Sequence, residues 1–107
     1  MSIYDKIPFI QEGNNSSEHE VMVFALSTCG FCKRAINYLK EKNIAFRYVY
    51  VDTLPQELRQ ELRTTLRDTF QRSLLYPYLV VDGTQVVTGF VKEKWDELLG
   101  ISPSGGS

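Results

Sequence analysis

The sequence predicts an α/β domain whose strands and helices follow one another in the order β, α, β, α, β, β, α. The first observation is the run 21–26, which is almost wholly apolar, as in a strand covered on both faces. The second is the helical spacing of apolar residues over 31–42, and the third is the aromatic and β-branched segment 45–51. A strand, a helix and a strand within about 30 residues form a right-handed βαβ unit.

A second helix is predicted to run to about Phe70. Thr53-Leu-Pro-Gln56 fits a capping box, with Thr53 as the N-cap, Gln56 at the third helical position and proline in the first turn. An apolar residue follows at every fourth position from Leu58 to Phe70. This spacing places one apolar stripe along the helix.

A hairpin and a third helix complete the order. Residues 78–81 (YLVV) and 86–87 (VV, preceded by Gln85) are apolar, and the Asp82-Gly83 pair between the two segments is a strong hairpin signal. Residues 92–99 carry apolar side chains on one face and end at Gly100, which predicts a helix with a C-terminal glycine.

Composition fits one globular domain. The chain has 107 residues, 43% hydrophobic and 23% charged, with a net charge of −1. This balance argues against a general nucleic-acid or membrane-surface binder, and no apolar run reaches the roughly 20 residues that cross a bilayer. We expect an N-terminal extension over 1–18, the domain over 19–101, a flexible tail over 102–107, and a cytoplasmic location.

Cys29 and Cys32 are the only cysteines, and they lie where the first strand meets its helix. Residues at i and i+3 are neighbours in a helical turn, so the two sulfurs can meet. The amide groups and dipole of a helix N-terminus favour a thiolate at Cys29, while Cys32 lies deeper. We therefore expect Cys29 to attack disulfides and Cys32 to resolve the product, although a metal half-site or a chance pair has the same spacing. A self-contained zinc site is nearly excluded, because only His19 could add a ligand.

Proline 77 opens the third strand of this order. Proline cannot donate a ladder hydrogen bond, so it belongs at a strand start or edge. Local sequence alone favours an ordinary trans bond between Tyr76 and Pro77.

Taken together, these motifs resemble the glutaredoxin branch of the thioredoxin superfamily. The resemblance covers about residues 21–100 and rests on four features of the sequence: the TCGFCKR segment, Pro77 opening a strand, the Asp82-Gly83 turn, and the Gly89-Phe90 pair before the last helix. It implies a four-stranded mixed sheet flanked by three helices, a cis Pro77, and thiol–disulfide exchange through a mixed disulfide at Cys29.

The resemblance also implies a substrate site around the cysteines. The backbone of Tyr76 would pair with a bound thiol substrate, and Gly89 would let the substrate backbone approach closely. The redox-active Cys29–Cys32 disulfide would serve in place of a cofactor or metal. The candidate substrate-binding residues are Thr28, Phe31, Lys33, Tyr76, Pro77, Gly89 and Phe90.

Two departures concern glutathione. The family usually has a lysine three residues before the first cysteine, where this chain has Leu26, and a Gly-Gly-x-Asp segment where this chain has Thr88-Gly-Phe-Val-Lys92. Each lost charge-assisted hydrogen bond weakens binding by about 1.5–3 kcal/mol. The Gly-Phe pair instead resembles the glutaredoxin-like donors of ribonucleotide reductase and small archaeal or bacterial redoxins. The reductant is therefore expected to be a reductase protein, glutathione or another low-mass thiol.

The expected partners are disulfide-containing client proteins or small-molecule disulfides, with no nucleic acid and no membrane, and the chain is expected to be a monomer. One alternative is an iron–sulfur carrier, because CGFC differs by one residue from the CGFS of cluster-carrying glutaredoxins. A [2Fe–2S] cluster needs four ligands, so it would use Cys29 from two chains with a small thiol. Another alternative is a partner-binding domain that uses the apolar stretch 7–10.

Overall fold

The computed structural model describes residues 3–13 and 19–101, so the predictions for 14–18 and for the 102–107 tail lie outside the described residues. The predicted order of four strands and three helices is confirmed, and one further strand precedes it. The elements are β1 (Ile10–Glu12), β2 (Val21–Ala25), α1 (Gly30–Glu41), β3 (Phe46–Tyr50), α2 (Gln56–Phe70), β4 (Tyr78–Val81), β5 (Gln85–Thr88) and α3 (Lys92–Leu99).

The strands form one mixed sheet in the order β1-β3-β2-β4-β5. Only β2 and β3 run parallel, as the βαβ unit requires, and the other neighbours are antiparallel. All five residues of β2 are buried, which explains why its sequence is continuously apolar. Because β2 is the central strand, the turn between β2 and α1 lies at the middle of the sheet, at the carboxyl end of β2.

The sheet has five strands rather than the four expected, because the N-terminal segment adds β1 along β3. Ile10 pairs with Tyr48 in antiparallel register. The neighbouring Phe9 ring packs on Phe24 at a centroid distance of 5.8 Å, and the Arg47 guanidinium lies 4.7 Å from the Phe9 centroid. Three residues are too few to show the alternation of apolar and polar side chains that identifies a strand. The position of β1 is therefore determined by its pairing with β3.

The alternation of β2 side chains divides the core into two layers. Val23 faces α1 and α3, where Leu39 and Trp95 are fully buried. Phe24 faces the other layer, which α2 covers with Leu62 and which the N-terminal segment covers with Ile7. The helices therefore lie on both sides of the sheet.

The predicted capping box at the start of α2 is wrong. Thr53 belongs to a short 3-10 turn, Val51–Thr53, and its hydroxyl donates to the Tyr50 carbonyl at 2.7 Å. The helix begins at Gln56 with Pro55 as the preceding cap residue, which provides no side-chain cap. The sequence matches the motif, but the Thr53 hydroxyl is bonded within the 3-10 turn after β3 and does not cap α2.

Across the described ranges, no helix combines the length and the apolar character that a membrane span requires.

Candidate active site

Cys29 lies at the junction between β2 and α1 as the N-cap residue of the helix. Its backbone is extended (φ −96°, ψ 115°), and its N–H donates to the Leu26 carbonyl at 3.1 Å. Its Sγ accepts the Cys32 backbone N–H at 3.2 Å. One of the amide donors that a helix start leaves unpaired therefore points at this sulfur, which is partly exposed.

Cys32 occupies a different environment one helical turn later. It is fully buried in the α1 layer of the core, and both cysteines are in the free thiol form. Burial, followed by a hydrogen bond with Cys29, raises the pKa of the Cys32 thiol to about 12. At neutral pH this thiol is therefore protonated, and it is sealed from solvent whereas the Cys29 sulfur is partly exposed.

The loop before β4 supplies the second wall of the site. The Tyr76–Pro77 bond is cis, as the resemblance implies and contrary to the trans bond that local sequence favours. Pro77 is buried and Tyr76 half-buried, and Tyr76 packs against the core layer that contains Cys32 and on which Cys29 also packs. Burial raises the pKa of the Tyr76 hydroxyl.

Gly89 and Phe90 supply the third wall. The Gly89 N–H donates to the Pro77 carbonyl at 2.8 Å, and the buried Trp95 indole donates to the Gly89 carbonyl at 3.0 Å. Gly89 has a φ of +79°, and a Cβ added there would meet no atom within 4 Å. The Gly89 backbone is therefore fixed by two hydrogen bonds, and the space where a Cβ would lie is open. Phe90 packs on the same core layer as Cys29.

Three of the candidate binding residues lie in the turn between β2 and α1 or in the first turn of α1. Phe31 is 64% exposed, and the Arg34 guanidinium lies 5.6 Å from its ring centroid. Cys29, Tyr76 and Phe90 thus pack on the core layer that contains Cys32, and Gly89 is bonded to Pro77. Thr28, Phe31 and Lys33 are exposed.

Asp52 is a residue of this region that the sequence analysis missed. Its carboxylate accepts the Ser27 N–H at 2.9 Å and also the Ser27 hydroxyl, which ties the turn before Cys29 to the end of β3. These hydrogen bonds lower the pKa of Asp52, and its charge contributes to the raised pKa of Cys32. Only a predicted contact between residues 25 apart would have revealed it.

Over residues 3–13 and 19–101, no group of three or more His, Cys, Asp or Glu side chains is placed to hold a metal ion. A single chain offers one partly exposed and one buried cysteine, two ligands fewer than an iron–sulfur cluster needs. The cluster-carrier alternative stays a prediction about a dimer, and an anaerobic visible spectrum of the purified protein tests it.

Comparison with known proteins assigns the family. The sequence profile of the Glutaredoxin family matches residues 21–86. The chain belongs to the glutaredoxin family. This glutaredoxin has a thioredoxin-like fold and a close cysteine pair, and members of the family are generally thiol oxidoreductases. No curated protein sequence matches it significantly.

Several solved structures resemble this glutaredoxin. Methanoredoxin from Methanosarcina acetivorans is 27% identical with a TM-score of 0.70, over 76% of this chain and 84% of that one. A glutaredoxin from Methanosarcina mazei is 27% identical with a TM-score of 0.69, over 82% and 91% of the two chains. A glutaredoxin from Archaeoglobus fulgidus is 28% identical with a TM-score of 0.66, over 80% and 97%.

Proposed function

We propose that this glutaredoxin is a thiol–disulfide oxidoreductase that reduces disulfides of proteins or small molecules. The observation that carries the proposal is the contrast between the two sulfurs. Cys29 is reachable and accepts a helix N-terminal amide, whereas Cys32 is sealed and protonated. Nucleophilic attack needs the first arrangement, and a resolving thiol that waits for its turn fits the second.

In the proposed reaction, the Cys29 thiolate attacks one sulfur of the substrate disulfide. A bond forms between Cys29 and that sulfur, and the other substrate sulfur leaves as a thiolate that takes a proton from water. Cys32 then loses its proton to solvent and attacks Cys29. The Cys29–Cys32 disulfide forms, and the second substrate thiol is released.

Regeneration needs two electrons from a reductase protein or a low-mass thiol, with glutathione among the possible donors. Two charged anchors for glutathione are absent, one where this chain has Leu26 and one in the Thr88-Gly-Phe-Val-Lys92 segment, and this favours a donor other than glutathione. The reaction also requires a compartment that keeps thiols reduced, in agreement with a cytoplasmic location, and a single chain carries every residue it uses.

Serine substitutions of the two cysteines test the proposal. Cys29→Ser removes the nucleophile, so disulfide reduction in an assay regenerated by dithiothreitol falls to the background rate. Cys32→Ser keeps the nucleophile and removes the resolving thiol, so a mixed disulfide at Cys29 accumulates and is visible by mass spectrometry. Full turnover by Cys29→Ser would overturn the assignment.

A further inference from the structure

An aspartate holds the chain at each end of the central strand β2. Before the strand, Asp82 of the turn between β4 and β5 accepts the Glu20 backbone N–H at 2.8 Å and lies 2.8 Å from a ring nitrogen of His19. After the strand, Asp52 accepts the Ser27 backbone N–H at 2.9 Å and also the Ser27 hydroxyl. In both contacts one carboxylate holds a backbone amide and a side chain, but only the second contact adjoins the cysteine pair.

The turn that Asp52 holds through Ser27 contacts both cysteines. The Leu26 carbonyl accepts the Cys29 N–H at 3.1 Å. A backbone hydrogen bond from Leu26 also reaches the Cys32 thiol. Ser27 is the residue that follows Leu26, so a shift of Ser27 away from Asp52 changes the position of the Cys29 backbone and the surroundings of the Cys32 sulfur.

Asp52 affects Cys32 in two opposite ways. Burial and the hydrogen bond with Cys29 are the largest causes of the raised Cys32 pKa, and the negative charge of Asp52 raises this pKa further. The backbone hydrogen bond from Leu26, which depends on the turn, lowers the same pKa. The charge of Asp52 therefore hinders ionisation of the resolving thiol, whereas the hold of Asp52 on the turn helps it. Substitutions can separate the two effects.

The other titratable groups around this turn leave Asp52 as an ionised carboxylate at neutral pH. Its hydrogen bonds lower the Asp52 pKa, and the charge of Arg59 lowers it further. The Arg59 Nη1 lies 3.5 Å from the Asp52 carbonyl oxygen. Tyr50 and Tyr76 interact electrostatically with Cys32, but burial raises the pKa of both hydroxyls, so both are neutral at pH 7. A variant that lacks the Asp52 carboxylate therefore lacks a negative charge at this pH.

We propose that Asp52 is a positioning residue of the resolving step, because the turn that it holds keeps the Cys32 sulfur aligned with the mixed disulfide at Cys29. The inference rests on the proposed function and deepens it. In that step the Cys32 thiol gives its proton to solvent, its sulfur bonds to Cys29, and the bond between Cys29 and the substrate sulfur breaks. The substrate thiolate leaves and takes a proton from water.

Four single variants separate position from charge. Asp52→Ala removes the carboxylate and both of its bonds to Ser27. Asp52→Asn removes only the charge, because its amide oxygen still accepts the Ser27 N–H and its amide nitrogen can donate to the Ser27 hydroxyl. Ser27→Ala keeps the charge and the backbone bond and removes the hydroxyl bond. Asp82→Ala is the matched control, because it removes the equivalent bond to Glu20 at the other end of β2.

Single-turnover oxidation by bis(2-hydroxyethyl) disulfide measures the two chemical steps separately. Reduced protein is mixed with an excess of the disulfide, quenched with acid at successive times and analysed by mass spectrometry. The appearance of the mixed disulfide at Cys29 gives the rate constant of attack, and its conversion into the Cys29–Cys32 disulfide gives the rate constant of resolution. Urea unfolding of each variant measures its stability.

Asp52→Ala should lower the rate constant of resolution at pH 7 by at least about fivefold, while the rate constant of attack changes by less than about twofold. Resolution depends on the alignment of two sulfurs within the protein, whereas the small disulfide reaches the partly exposed Cys29 from solvent. Ser27→Ala should act in the same direction. The double variant should be no slower than Asp52→Ala alone, because Asp52 acts through Ser27.

The remaining two variants should leave resolution intact. Asp52→Asn should resolve the mixed disulfide at least as fast as the wild type at pH 7, and up to about threefold faster, because a negative charge is gone while the turn is kept. Asp82→Ala should leave both rate constants within about twofold of the wild-type values, although it loses a comparable hydrogen bond. This contrast distinguishes positioning of the cysteines from a general loss of stability.

Resolution at the wild-type rate in Ser27→Ala or Asp52→Ala, or equal slowing by Asp52→Ala and Asp82→Ala, would overturn the inference. An Asp52→Asn variant as slow as Asp52→Ala would also overturn it, because the charge rather than the position would then govern the step. If Asp52→Ala does not fold, Ser27→Ala and Asp52→Asn decide the question. The proposed function stands in each of these cases if the wild type is still oxidised to the Cys29–Cys32 disulfide, and a wild type that the probe does not oxidise would refute it.

Discussion

Two tyrosine hydroxyls of this fold differ in whether they have a hydrogen-bond partner. The Tyr78 hydroxyl is buried without a hydrogen-bond partner among the described residues, whereas the Tyr38 hydroxyl donates to Asp96. Tyr78→Phe should therefore raise the free energy of unfolding by about 1 kcal/mol, because it removes an unpaired buried hydroxyl. Tyr38→Phe should lower it by about 1–2 kcal/mol, since a charge-assisted bond is lost.

Urea denaturation of the two variants beside the wild type measures both changes. Both substitutions remove one tyrosine hydroxyl, so the sign of the change in the free energy of unfolding distinguishes an unpaired hydroxyl from a bonded one. A destabilised Tyr78→Phe variant would mean that this hydroxyl has a partner in solution.

At the same scale, the cysteine pair could be predicted and its surroundings only in part. Cys29 and Cys32 are three residues apart at a strand–helix junction, so local sequence and helix geometry place their sulfurs. The cis form of Pro77 followed only from the family resemblance. The Ser27–Asp52 contact joins two elements that are distant in the chain, and neither residue type indicates the other.

Among the elements, the N-terminal segment is the one whose contribution the sequence understated. Ile7 is 6% exposed in the core layer under α2, whereas Ile10 on β1 is 45% exposed. Ile7→Ala should lower the free energy of unfolding by about 2–3 kcal/mol through lost burial and a cavity. Ile10→Ala, the control, should cost less than about 0.5 kcal/mol.

Thermal and urea unfolding of the two variants check this expectation. Equal and small effects would show that residues 3–13 contribute little to the stability of the domain. The wild-type segment would then be a loosely attached appendage.

The long elements could be predicted because their patterns repeat. Apolar residues recur through α1 and α2 over three or more turns, and the Asp-Gly turn between β4 and β5 forces its own conformation. The wrong or missing predictions concern a short strand and a residue that can serve either of two neighbouring elements. β1 has three residues, and Thr53 could either cap α2 or close the preceding 3-10 turn, a choice that tertiary structure makes.

For the whole molecule, buried acids of high pKa set the behaviour in alkali. Burial raises the pKa of Cys32 to about 12, and burial likewise raises the pKa of five tyrosines: Tyr4, Tyr38, Tyr50, Tyr76 and Tyr78. A raised folded-state pKa contributes stability that is fully present below the unfolded-state value and is lost as pH rises through the folded one. The reduced protein should therefore lose stability from about pH 9 upward.

The Cys32→Ala variant isolates the thiol's share of this loss. It should be less stable than the reduced wild type at pH 7, and the gap should close by about 1 kcal/mol per pH unit between pH 9 and 11. Urea unfolding of both proteins at several pH values gives the two curves. A constant gap would show that the Cys32 pKa is the same in the folded and unfolded states.

The proposed mechanism depends on the unequal reactivity of the two sulfurs. The most direct measurement is the rate at which iodoacetamide modifies each cysteine of the reduced, folded wild-type protein at pH 7, followed by peptide mass spectrometry. Cys29 should be alkylated at least about tenfold faster than Cys32, because its sulfur is partly exposed and accepts a helix amide while Cys32 is buried and protonated. Equal rates, or faster modification of Cys32, would contradict the assignment of Cys29 as the attacking residue.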